Sequence, residues 1–221
     1  MAQYGQTDWD LVGNENKNKD FKKDMYLRLQ DGPNRIRIVT KPFQYLAHTY
    51  KKEGDKGFGQ KVYCSAPMGS CPLCEKGDKA KRRWLVGVID RKTSTFKILD
   101  IGYSVFQNIK SLTNDPDWGD PSNYDIDLVV DRNGGASGYY KTNPKPAKPL
   151  SVADLELIEA IDYDDLNRRV TPPTADKVLD RLAKINGLPV LGDSGLSKQP
   201  FMVNTKEDDE DDDDIEFKNV K

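Results

Sequence analysis

Every cysteine and the single histidine of this 221-residue chain fall between positions 48 and 74. In chain order they are His48, Cys64, Cys71 and Cys74, and the last two have the two-residue spacing of a metal-binding knuckle. Three thiolates and one imidazole complete the tetrahedral coordination of a structural Zn²⁺ site. An odd number of cysteines also disfavours a disulfide framework. The spacing therefore predicts one structural Zn²⁺ bound by these four residues.

Two other readings of the cysteines are less favoured by the pattern. A catalytic zinc needs an open coordination position and a nearby base, whereas here all four positions are filled. The sequence His48-Thr49-Tyr50 also lacks the glutamate of the zinc deaminase signature. The remaining reading is three buried free thiols and an incidental histidine, which does not explain why all four residues share one short segment.

The residues on either side of the knuckle predict an α+β protein that is mainly β. Ile36 and Ile38 alternate with Arg35 and Arg37, which predicts a strand that buries the isoleucines and presents both arginines on the other face. Further strands are predicted over 27–30, 43–51, 61–64, 84–89 and 95–101, and a further hairpin is predicted over 124–142 with its turn at Asn133-Gly134-Gly135. Helices are predicted over 105–112, after Ser151, and from Thr174 to Gly187, and residues 143–149 are predicted to be a stiff linker.

This order of elements favours an OB-fold-like Greek-key barrel, because that fold places a helix between its third and fourth strands. The zinc residues would form a small inserted subdomain, 43–78, and C-terminal helices would occupy 151–187. We expect a flexible N-terminal arm over 1–20, one domain over 21–187 and a flexible acidic tail over 188–221.

The net charge of −2 hides a marked asymmetry along the chain. Residues 21–110 contain 19 Lys and Arg against 8 Asp and Glu, while residues 207–216 carry nine carboxylates. A basic body is the electrostatic footprint of a polyanionic partner such as a nucleic acid. A solvated basic surface with a solubilising tail is the simpler alternative.

Aromatic residues are interleaved with the basic ones, and this pattern is typical of proteins that bind single strands. Aromatic rings stack on unpaired bases while Lys and Arg follow the phosphates. Trp84 is also a candidate for the core, because large aromatics are frequently buried. The candidate nucleic-acid contacts are Arg35, Arg37, Tyr45, Tyr50, Lys51, Lys52, Lys61, Tyr63, Arg82, Arg83, Trp84, Arg91, Tyr103 and Tyr139.

The tail combines acidic residues with two apolar ones. A run of carboxylates can mimic nucleic acid and weaken binding until a real strand displaces it, and it can also recruit partners. The candidate partner-binding residues are Asp211, Asp212, Asp213, Asp214, Ile215 and Phe217. A tail that only improves solubility is the alternative.

Taken together, these motifs resemble those of the T-even-type phage single-stranded DNA-binding proteins. The resemblance covers roughly residues 21–150 and rests on the order His48, Cys64, Cys71-Pro-Leu-Cys74, the basic barrel and the acidic C-terminus. It implies an OB-fold with a zinc subdomain and DNA in the cleft between them. The stretch "DDDDIEF" is also similar to the acidic tip of bacterial single-strand binding proteins.

We therefore expect a non-enzymatic, largely sequence-independent single-stranded DNA-binding protein of phage replication, recombination and repair. Its expected partners are single-stranded DNA, replication and recombination proteins that meet the tail, and further copies of itself along the strand. The expected location is the cytoplasm of an infected bacterial host, because no signal peptide or membrane segment is evident. The alternative is a zinc-containing, protein-binding adaptor of a replisome or transcription complex. A nuclease or deaminase is disfavoured, since the acids of "DYDDLNRR" are the only cluster worth testing for catalysis and they are better explained as a solvated helix start.

Overall fold

The computed structural model of the protein describes residues 25–57 and 59–189. The strands are β1 (Gly32–Ile38), β2 (Phe43–Tyr50), β3 (Gln60–Tyr63), β4 (Lys81–Asp90), β5 (Thr95–Ile101), β6 (Tyr124–Val130) and β7 (Tyr140–Ala147). The helices are α1 (Tyr103–Asn114), α2 (Val152–Glu159), α3 (Tyr163–Val170) and α4 (Ala175–Asn186), with a four-residue helical turn at Gly135–Gly138. The predicted α+β class is confirmed. The predicted arm, 1–20, and the tail from residue 190 lie outside the described residues.

The seven strands form one antiparallel sheet in which β4 is the branch point. The order is β3-β2-β4-β1-β6-β7, and β5 pairs with the other edge of β4. The first half of β4 pairs with β2 and its last residues pair with β1. At the junction, Gly87 donates its N–H to the Thr40 hydroxyl at 2.7 Å. A Cβ at Gly87 would lie 2.6 Å from Thr40 Cγ2 and 2.8 Å from the Phe96 ring, so this close approach requires glycine.

The predicted closed barrel is wrong, because the described sheet stays open. Closure into a barrel would require another strand of the sheet to pair with the outer edge of β5. That edge instead pairs with the segment before β1. Leu27 N–H donates to Ile98 C=O at 2.9 Å, and Ile98 N–H donates to Met25 C=O at 2.8 Å. The residues predicted as a first strand, 27–30, do not form one, and the segment before β1 makes a single parallel bridge through Tyr26 and Ile98.

The predicted linker at 143–149 is also wrong, because its first five residues continue β7 to Ala147. Pro144 lies opposite Ile126 in this pairing. Proline cannot donate to a ladder, but it is tolerated on an edge strand, and β7 ends the sheet order.

Three clusters of buried residues hold the elements together. The main core packs Ile36, Val88 and Ile126 of the sheet against α1. A second cluster, the cysteine-side core, joins Val62, Cys64, Cys71 and Leu73 to Val178 and Leu182 of α4. The third lies on the opposite face of the sheet, where Tyr45, Leu85 and Ile98 pack against Leu166 of α3. These contacts fix α3 to the sheet and α4 to the knuckle.

The start of α2 and the end of α4 follow the predicted capping signals. Ser151 accepts a hydrogen bond from Asp154 N–H, and the Asp154 carboxylate accepts one from Ser151 N–H, which completes a capping box. Gly187 adopts a left-handed conformation at φ 73° and ends α4.

Candidate metal centre and nucleic-acid interface

The four predicted metal ligands converge at one point. Their ligand atoms all lie within 4.8 Å of one another. His48 Nε2 is 3.4 Å from Cys71 Sγ and 3.6 Å from Cys74 Sγ, and Cys64 Sγ is 3.6 Å from Cys74 Sγ. Tetrahedral coordination with the usual Zn–S and Zn–N bonds places ligand atoms about 3.5–3.8 Å apart. These residues could therefore hold a metal ion such as Zn²⁺.

The fold brings these ligands together from two directions. In the β2–β3 hairpin, His48 lies opposite Val62, so the imidazole and the cysteine that follows β3 reach the same end of the sheet. The knuckle then turns back, and Leu73 C=O accepts hydrogen bonds from Lys76 N–H and Asp78 N–H, both at 3.1 Å. The hairpin and knuckle thus act as the two halves of the site.

Asp78 orients the histidine. Its Oδ2 lies 3.1 Å from His48 Nδ1, while the other ring nitrogen faces the sulfurs. Metal-binding histidines typically donate their second N–H to such a carboxylate, which fixes the tautomer. Sequence reasoning missed Asp78, although an acid four residues after Cys74 is a signal that could have been tested.

The three thiols differ in how readily they ionise. Burial opposes ionisation of Cys71, but hydrogen bonds from Cys74 N–H, Ser65 and Leu73 N–H lower its pKa to about 6. Burial and the neighbouring sulfurs raise the pKa of Cys74 to about 12, and burial also raises the pKa of Cys64. A bound cation would supply the charge that three adjacent thiolates need.

The prediction that β1 presents both arginines to solvent is wrong for Arg37. Its side chain is only 1% exposed, and Arg37 Nε donates to Asp125 Oδ1 at 2.6 Å. Arg35 remains half exposed, but its Nε donates to Asp127 Oδ1 at 2.7 Å. Antiparallel pairing of β1 with β6 sets each arginine directly opposite its aspartate. The reason is therefore charge pairing across strands, which leaves Arg37 no surface for a phosphate.

Three more predicted contacts converge on Asp100. The Tyr45 hydroxyl donates to this carboxylate at 2.8 Å, Arg83 Nε donates at 3.0 Å, and Lys61 Nζ forms an ion pair with it. Tyr45 is buried and stacks on Tyr63, with ring centroids 4.7 Å apart. Tyr45 therefore offers no free ring face, and the sequence-based prediction that it stacks on a base is wrong because α3 and Tyr63 cover it.

Two further predicted contacts also serve the fold. Trp84 is buried and stacks on Phe106 of α1 at 3.9 Å between ring centroids. Arg91 is largely buried between Asp125 and Asp154, at 3.0 and 2.6 Å. These placements correct the prediction that Trp84 and Arg91 face a nucleic acid.

The remaining predicted contacts lie at or near the surface. Tyr103 is 59% exposed and its ring lies 6.4 Å from the Trp84 ring. Tyr50 is half-buried and hydrogen-bonded to Asn186 of α4, and Tyr139 is half-buried against Tyr140. The exposed basic candidates are Lys51, Lys52 and Arg82.

Arg82 and Tyr103 lie at the same end of the β4–β5 hairpin. Trp84 pairs with Ile101; Arg82 precedes that pair by two residues and Tyr103 follows it by two. Arg82 also lies opposite Leu46 of β2, which packs against the cysteine-side core. These two residues therefore mark the junction between the metal centre and the main core.

Several exposed basic residues of the β2–β3 loop, the segment after the knuckle and the start of β4 are not neutralised by acidic partners. Within the part of the chain that the structure describes, no ion pair involves Lys51, Lys52, Lys56, Lys79, Lys81 or Arg82. We call these six residues the knuckle-side basic surface. By contrast, Arg35, Arg37, Arg83 and Arg91 each pair with an aspartate.

The predicted partner-binding residues Asp211–Asp214, Ile215 and Phe217 lie outside the described residues. Among the helices that are described, none is both long enough and apolar enough to cross a membrane. Neither protein-family models nor curated proteins produced a match to this chain. Function must therefore be argued from the site itself.

Proposed function

We propose that this protein is a non-enzymatic, largely sequence-independent single-stranded DNA-binding protein. The observation that carries the proposal is the junction beside the metal centre, where the exposed ring of Tyr103 and the exposed Arg82, which has no acidic partner among the described residues, lie at the same end of the β4–β5 hairpin. Such a surface can pair with phosphates and stack on a base. A duplex would not supply unpaired bases to the ring, so single strands are the preferred ligand.

Charge on this part of the surface supports a polyanionic ligand. Residues 50–82 contain eight Lys and Arg but four Asp and Glu, and one of those acids, Asp78, is turned toward His48. The bound strand would cross the end of the β4–β5 hairpin, between the knuckle and α1.

The metal in this proposal is one structural Zn²⁺ held by His48, Cys64, Cys71 and Cys74. When bound, it fixes the knuckle against β2 and β3 and so positions the knuckle-side basic surface. Two residues that are not metal ligands also hold the site in place. Asp78 contacts the His48 imidazole, and Leu73 anchors the knuckle in the cysteine-side core. Four protein ligands leave no position for a catalytic water.

The finer assignments are part of the same proposal. When β2 and β3 are assigned to the subdomain over 43–78, α1 lies between the third and fourth of the remaining strands, which supports an OB-related topology in an open form. A role in phage replication, recombination and repair, in the cytoplasm of an infected bacterium, rests on the resemblance in the order of the metal ligands. The tail would recruit replication proteins and moderate binding.

Binding of labelled thymidine oligonucleotide and of duplex of equal length, by fluorescence anisotropy of the full-length protein, tests the proposal. Four phosphate contacts would give a slope of log affinity against log salt of about −3 for a single strand. Arg82→Ala should weaken binding several-fold, whereas the matched Arg168→Ala on α3 should not. Absence of binding to either nucleic acid would reject the proposal in favour of a protein-binding adaptor.

A further inference from the structure

A groove on the far side of α1 is not explained by nucleic-acid binding. It has a volume of about 560 Å³ and runs between α1, the β1–β2 junction and the turn at Asp120–Ser122. Its floor is apolar, formed by Ile38, Val86, Ile101, Phe106 and Ile109. Grooves of this size with an apolar floor accommodate ligand side chains.

The polar groups in the groove make a nucleobase a poor occupant. The Thr40 hydroxyl accepts a hydrogen bond from Gly87 N–H, and the Thr113 hydroxyl donates to Lys110 C=O at 2.7 Å. Phe106 stacks on Trp84, so one face of its ring is already used. The floor of the groove therefore offers few free hydrogen-bonding groups to the edge of a base, and apolar side chains match it better.

Charges at the rim define the rest of the ligand. Lys41 and Lys110 are exposed and line the groove, and neither forms an ion pair with a described residue. Asp120 also lines it and accepts a hydrogen bond from Ser122 N–H at 2.9 Å. A ligand that matches the groove therefore carries apolar side chains for the floor. Several acidic groups precede or follow these side chains to meet Lys41 and Lys110, and one basic group on the opposite side of them meets Asp120.

One segment of the chain has this pattern. Residues 211–214 are four aspartates, Ile215 and Phe217 follow, and Lys218 comes directly after them. Twenty-two positions separate Pro189, the last described residue, from Asp211. An extended chain of that length spans about 70 Å, and a domain of this size is roughly 40 Å across. The segment can therefore reach the groove from any position of Pro189 on the surface.

We propose that residues 211–218 of the same chain bind in this groove, with Ile215 and Phe217 on its apolar floor and the aspartates near Lys41 and Lys110. This site differs from the knuckle-side basic surface, so the tail has an apolar anchor of its own. The anchor would hold the acidic run next to α1, whose first residue is Tyr103. Tail docking is independent of whether the protein binds nucleic acid.

Photo-crosslinking of the full-length protein tests this inference without nucleic acid. Phe217 is replaced by the photoreactive residue p-benzoylphenylalanine, and crosslinked peptides are mapped by mass spectrometry. We expect crosslinks to residues 38–42 and 106–113 within one molecule. Lys110→Glu should reduce their yield at least threefold, whereas Lys92→Glu, the same charge change on the β4–β5 turn, should leave it unchanged.

A second variant distinguishes the contribution of the apolar floor from that of the positive charges at the rim of the groove. Thr113→Arg adds positive charge at the groove but occupies its volume, so it should reduce the crosslink yield if the apolar floor anchors the tail. An increased yield would show that charge alone attracts the tail and would overturn the inference. Crosslinks to the knuckle-side basic surface, crosslinks between two molecules, or no crosslinks would overturn it as well.

Discussion

At the scale of single residues, His48 uses both ring nitrogens. Nε2 faces the sulfurs of Cys71 and Cys74, and Nδ1 faces Asp78 at 3.1 Å. A carboxylate at this position favours the tautomer with its proton on Nδ1, which would leave the Nε2 lone pair available to a bound metal. The strength of metal binding should therefore depend on a residue that is not itself a ligand.

We predict that Asp78→Asn weakens zinc binding about 10–100-fold, the usual cost of losing such a carboxylate. Competition with a zinc chelator measures the change in the full-length protein. Glu75→Gln is the control, because Glu75 is an exposed acid in the same knuckle. Equal zinc affinity in the two variants would contradict the role assigned to Asp78.

The buried, paired Arg37 and the exposed, unpaired Arg82 are expected to differ in how much they contribute to the free energy of unfolding. Arg37→Ala removes one partner of a buried ion pair and should lower the free energy of unfolding by about 3 kcal/mol. Arg82 is exposed without an acidic partner, so Arg82→Ala should change stability by less than about 0.5 kcal/mol. Urea unfolding measures both. A similar loss in the two variants would mean that the pairing of Arg37 contributes little.

The sequence contains both partners of the arginine–aspartate pairs between β1 and β6, but the alternation within each strand does not reveal that they pair. Arg35 and Arg37 alternate with isoleucines on β1, and Asp125 and Asp127 alternate with Ile126 on β6. Each strand was predictable by itself, but the neutralisation of the arginines depends on which strands pair and in which register. That information is non-local, since about 90 residues separate the partners. The clustering of His48 with the three cysteines was predictable because their spacing is local and their chemistry is specific.

At the scale of elements, α2 is joined to the sheet by its first turn. Asp154 completes the capping box with Ser151 and also accepts a hydrogen bond from Arg91 Nη1 at 2.6 Å. Burial opposes ionisation of Asp154, but hydrogen bonds from Ser151 N–H and Arg91 lower its pKa below the ordinary value. One carboxylate thus both caps the helix and fixes its direction.

The lowered pKa gives a signed pH dependence. The stabilisation from Asp154 is fully present above the ordinary aspartate pKa and is lost as the pH falls through the folded-state value. We predict that Asp154→Asn costs about 2 kcal/mol at neutral pH and that this difference shrinks below about pH 4. Unfolding curves from pH 2 to 7 measure it, with the exposed Glu156→Gln as control. A cost that does not depend on pH would contradict ionic capping.

The elements differ in how well local patterns predict them. The β4–β5 hairpin and α1 follow from alternation and helical spacing that act within a few residues. Whether the sheet closes cannot be predicted from such local patterns, because the β5 edge pairs with Tyr26 and Leu27, which are 71 or more positions away in the chain. Local proline content likewise suggested a linker where β7 continues, since only the edge position of the strand makes proline acceptable.

At the scale of the whole molecule, two groups of basic residues differ in their partners. Arg35, Arg37, Arg83 and Arg91 pair with Asp100, Asp125 or Asp127, whereas the residues of the knuckle-side basic surface form no ion pair with a described residue. A count of charges along the sequence overestimates the surface available to a polyanion, because it includes the paired residues. In the proposed function, a metal bound by His48 and the three cysteines would act through position, because it would fix the knuckle beside Lys79, Lys81 and Arg82.

The most direct test of the central claim is the affinity of full-length Tyr103→Ala for a labelled thymidine oligonucleotide at low salt, measured beside Tyr163→Ala. Both tyrosines are about half exposed, at 59% and 47%, but only Tyr103 lies at the junction. Loss of one base–ring stack should weaken binding by about 1–3 kcal/mol, and Tyr163→Ala should leave it unchanged. Equal affinities of both variants and the unaltered protein would contradict the claim that single strands bind at this junction.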